Sequence, residues 1–562
     1  MNLKEQIRHS IPAAIVVVIG AWVMIYYSIV QWETMKPVPS WDLAIFSELA
    51  KAYAHFQTPI VPVKGDGYNL LGDHFHPILL LLGPIWRLFP TPLSLLITQD
   101  LLLAFSAWPL TRLASRLTNQ WVAGGLGLVY VLSWGMQGAV AAQFHEIAFA
   151  MPLLAYASVA FVERRWGAVT AWSAPLVLVK EDMGLTVLMI GVAVILTSAV
   201  PAWYRTCTVI RPGGHGADDP DDAAEAAEAD AARNRRRGLR LGVGMIVGGI
   251  AAFLFAIQVF LPAFNINGVW DYGLSSQDQP TSPDALTQKA TVVVMLILTS
   301  GVVGVTSPWL LVVLPTLAWR FLGSVEFYWV WDNWHYNATL MPIALGALLD
   351  VVARRRAHGS YVADHPVRQV GVDGRAVMGR SARVALAAGE AGTAGESDVD
   401  GPRRRPTAFP TWLTVPMRHR FVVATSILTA VATGVLTAPY LPLWQATNKN
   451  FDPLAAEAKQ SDEAKRTETH RVAVAHEVIA TIPEGATVVT DLSLLAYLVP
   501  RAEVSWAGTS GPDKEYIVMT PTSANQWGSS DAAAWGKKHS KQGATYTLIY
   551  NKDNYQIAKR DG

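Results

Sequence analysis

The sequence predicts an all-α polytopic membrane protein of about eleven transmembrane helices, followed by a small C-terminal α/β domain outside the membrane. Three observations carry this prediction. Apolar residues make up 51% of the 562-residue chain and charged residues only 16%, whereas soluble domains are roughly a quarter charged. The charges gather in a few loops and in the region after residue 446, leaving long runs with none. When those runs are threaded in order, every strongly basic loop falls on one side. The 45 basic and 44 acidic residues almost cancel, net +1, so global charge predicts neither a nucleic-acid partner nor an acidic substrate. The single cysteine, Cys207, excludes an internal disulfide framework and a cysteine-built metal site.

A crossing helix needs roughly 20 apolar residues. Ile11 to Ile29 meets that. Lys4 and Arg8 precede it and no small-residue cleavage site follows, which predicts an uncleaved first helix with its N-terminus in the cytoplasm. Further spans are expected at 93–111, 121–141, 147–162, 184–202, 241–262, 290–305, 308–322, 338–352 and 421–443. Residues 166–179 are short, but the charges on both sides require a crossing there. Residues 77–89 are shorter and hold Pro84 and Arg87, which predicts an interfacial or re-entrant helix. Arg112/Arg116, Arg164/Arg165, Arg235–Arg237 with Arg240, Arg354–Arg356 and Arg418/Arg420 then all face the cytoplasm, and the C-terminus lies outside.

Two domains follow from this threading: a transmembrane domain, 1–446, and an extracytoplasmic α/β domain, 447–562. Cytoplasmic loops at 205–238 and 354–418 are expected to be disordered. The first carries seven acidic residues among alanines between 216 and 230, and the second is rich in Gly, Ala, Arg and Ser. In the C-terminal domain a helix-like stretch, Asp452–Ile482, precedes strand-like runs at Thr487–Thr490, Glu515–Met519 and Thr545–Tyr550.

The same threading sorts the polar residues near span ends. Asp42, then Asp73, His74 and His76, lie in the first outer loop. His145 and Glu146, the Lys180-Glu181-Asp182 run, Asp271, and the aromatic loop from Glu326 through His335 and Tyr336 are outer as well. Each has an ordinary reading alone. Asp42 could be a helix cap or solvated charge, His145-Glu146 a helix anchor, Lys180-Glu181 a local ion pair, and the Trp-rich loop an interfacial belt. The i,i+2 spacing of His74 and His76 is a weak metal pattern. Together, five acid/His clusters on one side predict a polar cavity at the outer interface.

Such a cavity suits sugar transfer from a lipid-phosphate donor. A carboxylate takes the proton of the attacking hydroxyl, and cations or hydrogen-bond donors stabilise the leaving phosphate. Lys180, His145 and His335 are candidates for the phosphate by type, and the aromatic loop for sugar stacking. No Walker or Rossmann glycine pattern is present.

These motifs carry a resemblance. Trp41-Asp42-Leu43-Ala44-Ile45-Phe46, Gly72-Asp73-His74-Phe75-His76-Pro77, Phe144-His145-Glu146, Lys180-Glu181-Asp182 and His335-Tyr336 resemble the pattern of a domain-of-unknown-function family of bacterial polytopic membrane proteins grouped with the GT-C glycosyltransferases. Val488 through Arg501 and Asp513 through Val518 resemble further family segments beyond the last span. His76 stands where the family has Ser, so a two-histidine metal site is not implied. The resemblance implies a GT-C-like fold in a bacterial plasma membrane, an outer-face active site and a polyprenyl-phosphate-linked sugar donor. It also implies a catalytic acid in the first outer loop, where Asp42 is the matching position.

The expectation is therefore a glycosyltransferase that glycosylates a cell-envelope glycan or lipid acceptor, with Asp42 as base. His74, His145, Lys180 and His335 would contact the donor phosphate. Glu146, Glu181 or Asp182 would orient the acceptor or hold a metal, and Tyr336 joins the substrate-binding set. A divalent metal ion is left open as cofactor, with Asp73, His74, His76 and Glu146 as candidate ligands. Two other readings use the same features. One is a transporter or flippase of a lipid-linked sugar; the other makes 447–562 a module that recruits envelope enzymes.

Overall fold

A computed structural model describes residues 3–36, 39–199, 220–272, 283–323, 325–364, 369–370, 376–377, 415–446, 462–523 and 527–561. Among these, five helices are long and apolar enough to cross a membrane: Leu3–Thr34, Pro92–Leu117, Ala229–Phe264, His335–Arg356 and His419–Tyr440. They fall on five of the expected spans. His335–Arg356 is the central helix, with 94% of its apolar window buried, while the windows of Ala229–Phe264 and His419–Tyr440 are only 17% buried and present apolar side chains outward. That exposure suits lipid as the solvent.

The remaining expected spans are interrupted. Those at 147–162, 166–179, 184–202, 290–305 and 308–322 coincide with apolar helices of 10–17 residues. Several begin or end in a tighter turn, as at Glu146–Phe149, Ala174–Leu178 and Pro308–Val313. Between 285–299 and 308–322 the chain reverses through Gly301 and Val302, both at positive φ. The span at 121–141 is two helices, Gln120–Val131 and Trp134–Ala141. Its second piece holds Gly135 and Gly138, where an added Cβ would lie 2.5 Å from the Asn337 carbonyl oxygen and 2.6 Å from that of Trp334. These glycines admit the backbone that carries His335. Residues 77–89 form a short turn and helix, Pro77–Leu81 and Leu82–Leu88, as the sequence suggests.

Helix occupies part of each stretch expected to be disordered, 205–238 and 354–418. Pro220–Phe255 is one 36-residue helix, so 220–238 is helical. Its Ala, Glu and Arg content favours helix. Likewise the helix Leu340–Asp364 extends past residue 354 and Val415–Thr437 begins before 418. Residues 200–219 and most of 365–414 lie outside the described residues.

The C-terminal region is an α/β domain, as expected. The helix Asp462–Thr481 precedes a five-stranded sheet ordered Glu503–Trp506, Thr487–Thr490, Tyr516–Met519, Tyr555–Arg560, Tyr546–Lys552. The first three strands are parallel and the last two form an antiparallel hairpin. Strands Glu503–Trp506 and Tyr555–Arg560 carry charged residues at their ends and were not apparent from pattern. Residues 447–461, part of the expected helix, lie outside the described residues. The domain sits against the bundle end that holds Asp42, with Tyr497 stacked on Trp32 at 4.0 Å and its hydroxyl donating to the Trp32 carbonyl.

Candidate functional site

The helix Trp41–Ala54 starts at Ser40, whose hydroxyl accepts the Leu43 N–H. Ser40 is itself held by its own N–H to Gln143 Oε1, 2.6 Å. This fixes Asp42 in the first turn of the helix, facing a cavity of about 350 Å³. Asp42 is 38% exposed to that space, and its nearest ionic partner is His145 Nε2 at 3.6 Å, beyond direct hydrogen-bond reach. Burial alone would raise the Asp42 carboxyl, but the proximity of His145 outweighs it and holds the group below its ordinary value.

His145 is fixed on three sides. Its N–H donates to Gln99 Oε1 at 3.0 Å, its Nδ1 lies 3.1 Å from the Gln143 carbonyl, and its ring stacks on His335 at 3.6 Å. A carbonyl can only accept, so Nδ1 carries a proton and Nε2 is the nitrogen turned toward Asp42. Gln143, two residues before His145, and Trp334, one before His335, both have left-handed backbone, at φ 70° and 64°. Such conformations cost energy for residues with a Cβ and persist where surrounding structure enforces them.

Three ion pairs line the same cavity. Lys180 Nζ is 2.7 Å from Glu146 Oε1, His74 Nδ1 is 2.8 Å from Glu181 Oε1, and Lys64 Nζ is 2.6 Å from Asp73 Oδ1. In each pair the cation is the more exposed partner: 19% against 2%, 20% against 3%, and 12% against 8%. The carboxylates stand behind and the cations in front. Glu181 also accepts the Phe75 N–H, and Asp73 accepts the hydroxyls of Tyr68 and Tyr272. Burial opposes charge on Asp73, but His74, Lys64 and these bonds bring its carboxyl down to about 2. Burial likewise opposes the charge on His74, and the Glu181 carboxylate overcomes it and raises the imidazole.

The alternative reading of Lys180-Glu181 as a local ion pair does not hold, because Lys180 pairs with Glu146 and Glu181 with His74, both far away in sequence. Asp182 lines the cavity, with burial raising its carboxyl to about 6. His76 is buried, packs its ring 6.2 Å from Phe46, and burial lowers it to about 4. His335 Nδ1 is buried with no hydrogen-bond partner. Tyr336 stacks with Phe327, and Trp270 with Trp319, giving the cavity an aromatic wall. Among the described residues no three His, Cys, Asp or Glu side chains gather to hold a metal ion. Of the four candidate ligands, Asp73, His74 and Glu146 are engaged in ion pairs and His76 packs against an aromatic ring.

Sequence reasoning missed Lys64, Gln99 and Arg320. Arg320 is buried and donates to the Tyr328 and Tyr336 carbonyls and to Asn337 Oδ1, folding the loop that presents His335. A lone Arg at the end of the 308–322 apolar run was the only signal.

The sequence profile of a family described as predicted membrane protein (DUF2079) matches residues 38–368, more than half of the chain. ArnT from Cupriavidus metallidurans, whose crystal structure is bound to undecaprenyl phosphate, aligns with TM-score 0.43 and 11% identity, over 97% of this chain and 97% of that one. No curated protein matches the sequence.

Proposed function

The chain belongs to the DUF2079 family of predicted membrane proteins, and on that premise we propose that it is a glycosyltransferase. It moves a sugar from a polyprenyl-phosphate donor to a cell-envelope acceptor on the outer face of the membrane. One observation supports this reading above others. A partly exposed carboxylate, Asp42, shares a cavity with three cations that stand in front of their own counter-ions. A base and an anion-receiving wall are what transfer from a phosphate leaving group requires.

In this mechanism the acceptor hydroxyl attacks the anomeric carbon with inversion. Its proton passes to Asp42 as the new C–O bond forms and the bond to the phosphate oxygen breaks. Asp42 is held below its ordinary value, so at neutral pH it is ionised, the state a base needs. Lys64, His74 and Lys180 receive the charge that develops on the phosphate. Trp270, Trp319, Phe327 and Tyr336 supply flat apolar faces for sugar rings. Asp182 offers a cavity carboxylate for acceptor or sugar hydroxyls. At the other end of the bundle Asp350 is buried between Arg164 and Arg354.

Deletion of the gene should remove a specific envelope sugar, read by glycan composition analysis. Wild type should restore it and Asp42→Asn should not. Full restoration by Asp42→Asn would remove the assignment of the base.

A further inference from the structure

Two pieces of chain bring Asp42 and Lys64 to one cavity. The helix Trp41–Ala54 carries Asp42. The loop from Ile60 to Asn69 carries Lys64 and is closed by the Ile60/Asn69 bridge and the Val61 N–H to Tyr68 carbonyl bond. Lys64 lies over the Tyr68 ring at 4.9 Å and near the Trp41 ring at 5.7 Å. The cavity's charge arrangement depends on how this loop sits against that helix.

Glu48 joins them. It lies six residues after Asp42 on the same helix, roughly 120° round the axis, so it faces away from Asp42. It is buried, and its two oxygens bond to different parts of the chain. Oε2 accepts the N–H of Val63, the neighbour of Lys64, at 3.4 Å, and Oε1 accepts the N–H of Val504 in the C-terminal sheet at 3.2 Å. The surrounding contacts follow the same pattern. Lys51 Nζ donates to the Val499 and Ala502 carbonyls, at 2.7 and 2.9 Å. Thr509 Oγ1 donates to the Val63 carbonyl at 2.7 Å, Lys514 pairs with Asp66 at 2.6 Å, and the Trp506 ring lies 5.7 Å from Trp41. These contacts from the C-terminal domain end on the Asp42 helix or on the Lys64 loop, beside others from Tyr497, Arg471 and Glu468 that reach Trp32, Thr34 and Lys36 at the end of the first helix.

A buried carboxyl group is costly, and an apolar residue of similar volume would fill the space more cheaply. What the carboxyl adds is a pair of acceptor oxygens that fix two backbone donors relative to each other, since the oxygen that carries a proton keeps a lone pair. We propose that Glu48 is a positioning residue that bonds the Lys64 loop and the C-terminal domain to the Asp42 helix, making that domain part of the cavity's framework. The inference does not depend on which reaction the cavity performs.

The test is amide hydrogen exchange on the full-length protein in lipid nanodiscs, comparing wild type with Glu48→Gln. Glutamine keeps the volume but turns an NH₂ toward one of the two N–H donors, so one bond of the junction is lost. Exchange in 60–69 and 503–506 should rise about tenfold, with the central helix 335–356 unchanged. A pH profile separates positioning from bulk. Burial lifts the Glu48 carboxyl to about 8, against the Val63 and Val504 N–H groups and Lys51, with Glu503 adding to the rise. When undocked it titrates near 4.5. Docking therefore favours the protonated form, and its contribution is complete below about 4.5 and lost as pH rises to about 8. In wild type the protection of 60–69, corrected for intrinsic rate, should fall across that window; in Glu48→Gln it should be flat. Unchanged exchange in 60–69, or a uniform rise that includes 335–356, would overturn the proposal. Full restoration by Asp42→Asn would remove the assignment of the base and leave this exchange pattern standing, because the junction does not depend on that role.

Discussion

One helix, His335–Arg356, runs between two concentrations of charge, and they are built in opposite ways. At its start His335 faces the cavity of Asp42. About 22 Å further along, Asp350 is completely buried and saturated. Arg164 lies 2.7 Å from one oxygen, and Ser307 and Arg354 lie 2.7 and 3.1 Å from the other. Neighbouring basic residues there are tied to backbone or acid as well, Arg356 to the Arg116 and Leu117 carbonyls and Arg116 to Glu163. At the Asp42 end the acids of three pairs are enclosed while their cations reach the cavity, and Asp42 itself is left without a close partner. Burial of charge is common to both ends; saturation differs. The closed cluster holds helices together, and the open one keeps donors and a carboxylate available.

The largest effect that tests this contrast is expected at the closed end. Asp350→Ala leaves Arg164 and Arg354 facing each other in a sealed space, and removing one partner of a buried ion pair costs roughly 3–5 kcal/mol. The variant should lose most of its folded population in detergent thermal-shift measurements. A wild-type melting curve would show that this cluster is not what closes the end.

A smaller loss is expected from Lys180→Met. Glu146 would keep its burial and lose its cation at 2.7 Å, but water in the cavity can approach the gap that Lys180 leaves. The cost should be about 1–3 kcal/mol, below that of Asp350→Ala in the same thermal assay. A loss as large as that of Asp350→Ala would mean that the cavity pair is sealed too.

Gly138→Ala tests the seat of His335 without touching a charge. The new Cβ would lie 2.6 Å from the Trp334 carbonyl oxygen, so the backbone before His335 must move. Overpacking of this kind costs about 1–3 kcal/mol, and here the expected value is toward the lower figure because the loop borders open space. The imidazole resonances of His145 and His335, stacked at 3.6 Å, should shift in NMR spectra of the variant. Unaltered resonances would show that the glycine is not needed to seat that loop.

Which residues share an end was legible from span parity, because apolar runs and arginine loops are strong signals in a membrane chain. That is how Asp42, His145, Lys180 and His335 could be assigned to one side. Their partners were not legible. Lys180 and Glu181 are adjacent, yet successive side chains at a helix start point in different directions, and tertiary packing supplied Glu146 and His74 instead. Lys64, Glu48 and Arg320 are single charges in unremarkable surroundings, with no period or spacing to mark them. The breaks at Ser133 and near Gly301 were hidden for a related reason: apolar composition reports what solvent a segment prefers, while helix continuity depends on what its neighbours must fit against.

The smallest stability effect should come from the residue with the largest functional one. Asp42→Asn keeps volume, the carboxylate it removes is already partly in solvent, and its nearest ionic neighbour is 3.6 Å away. Thermal stability should change by less than about 0.5 kcal/mol, while transfer falls by roughly two to four orders of magnitude if the carboxylate is the base. If Asp42→Asn instead destabilises the protein by as much as Lys180→Met, Asp42 is one more structural partner, and the two ends of the central helix differ in degree only.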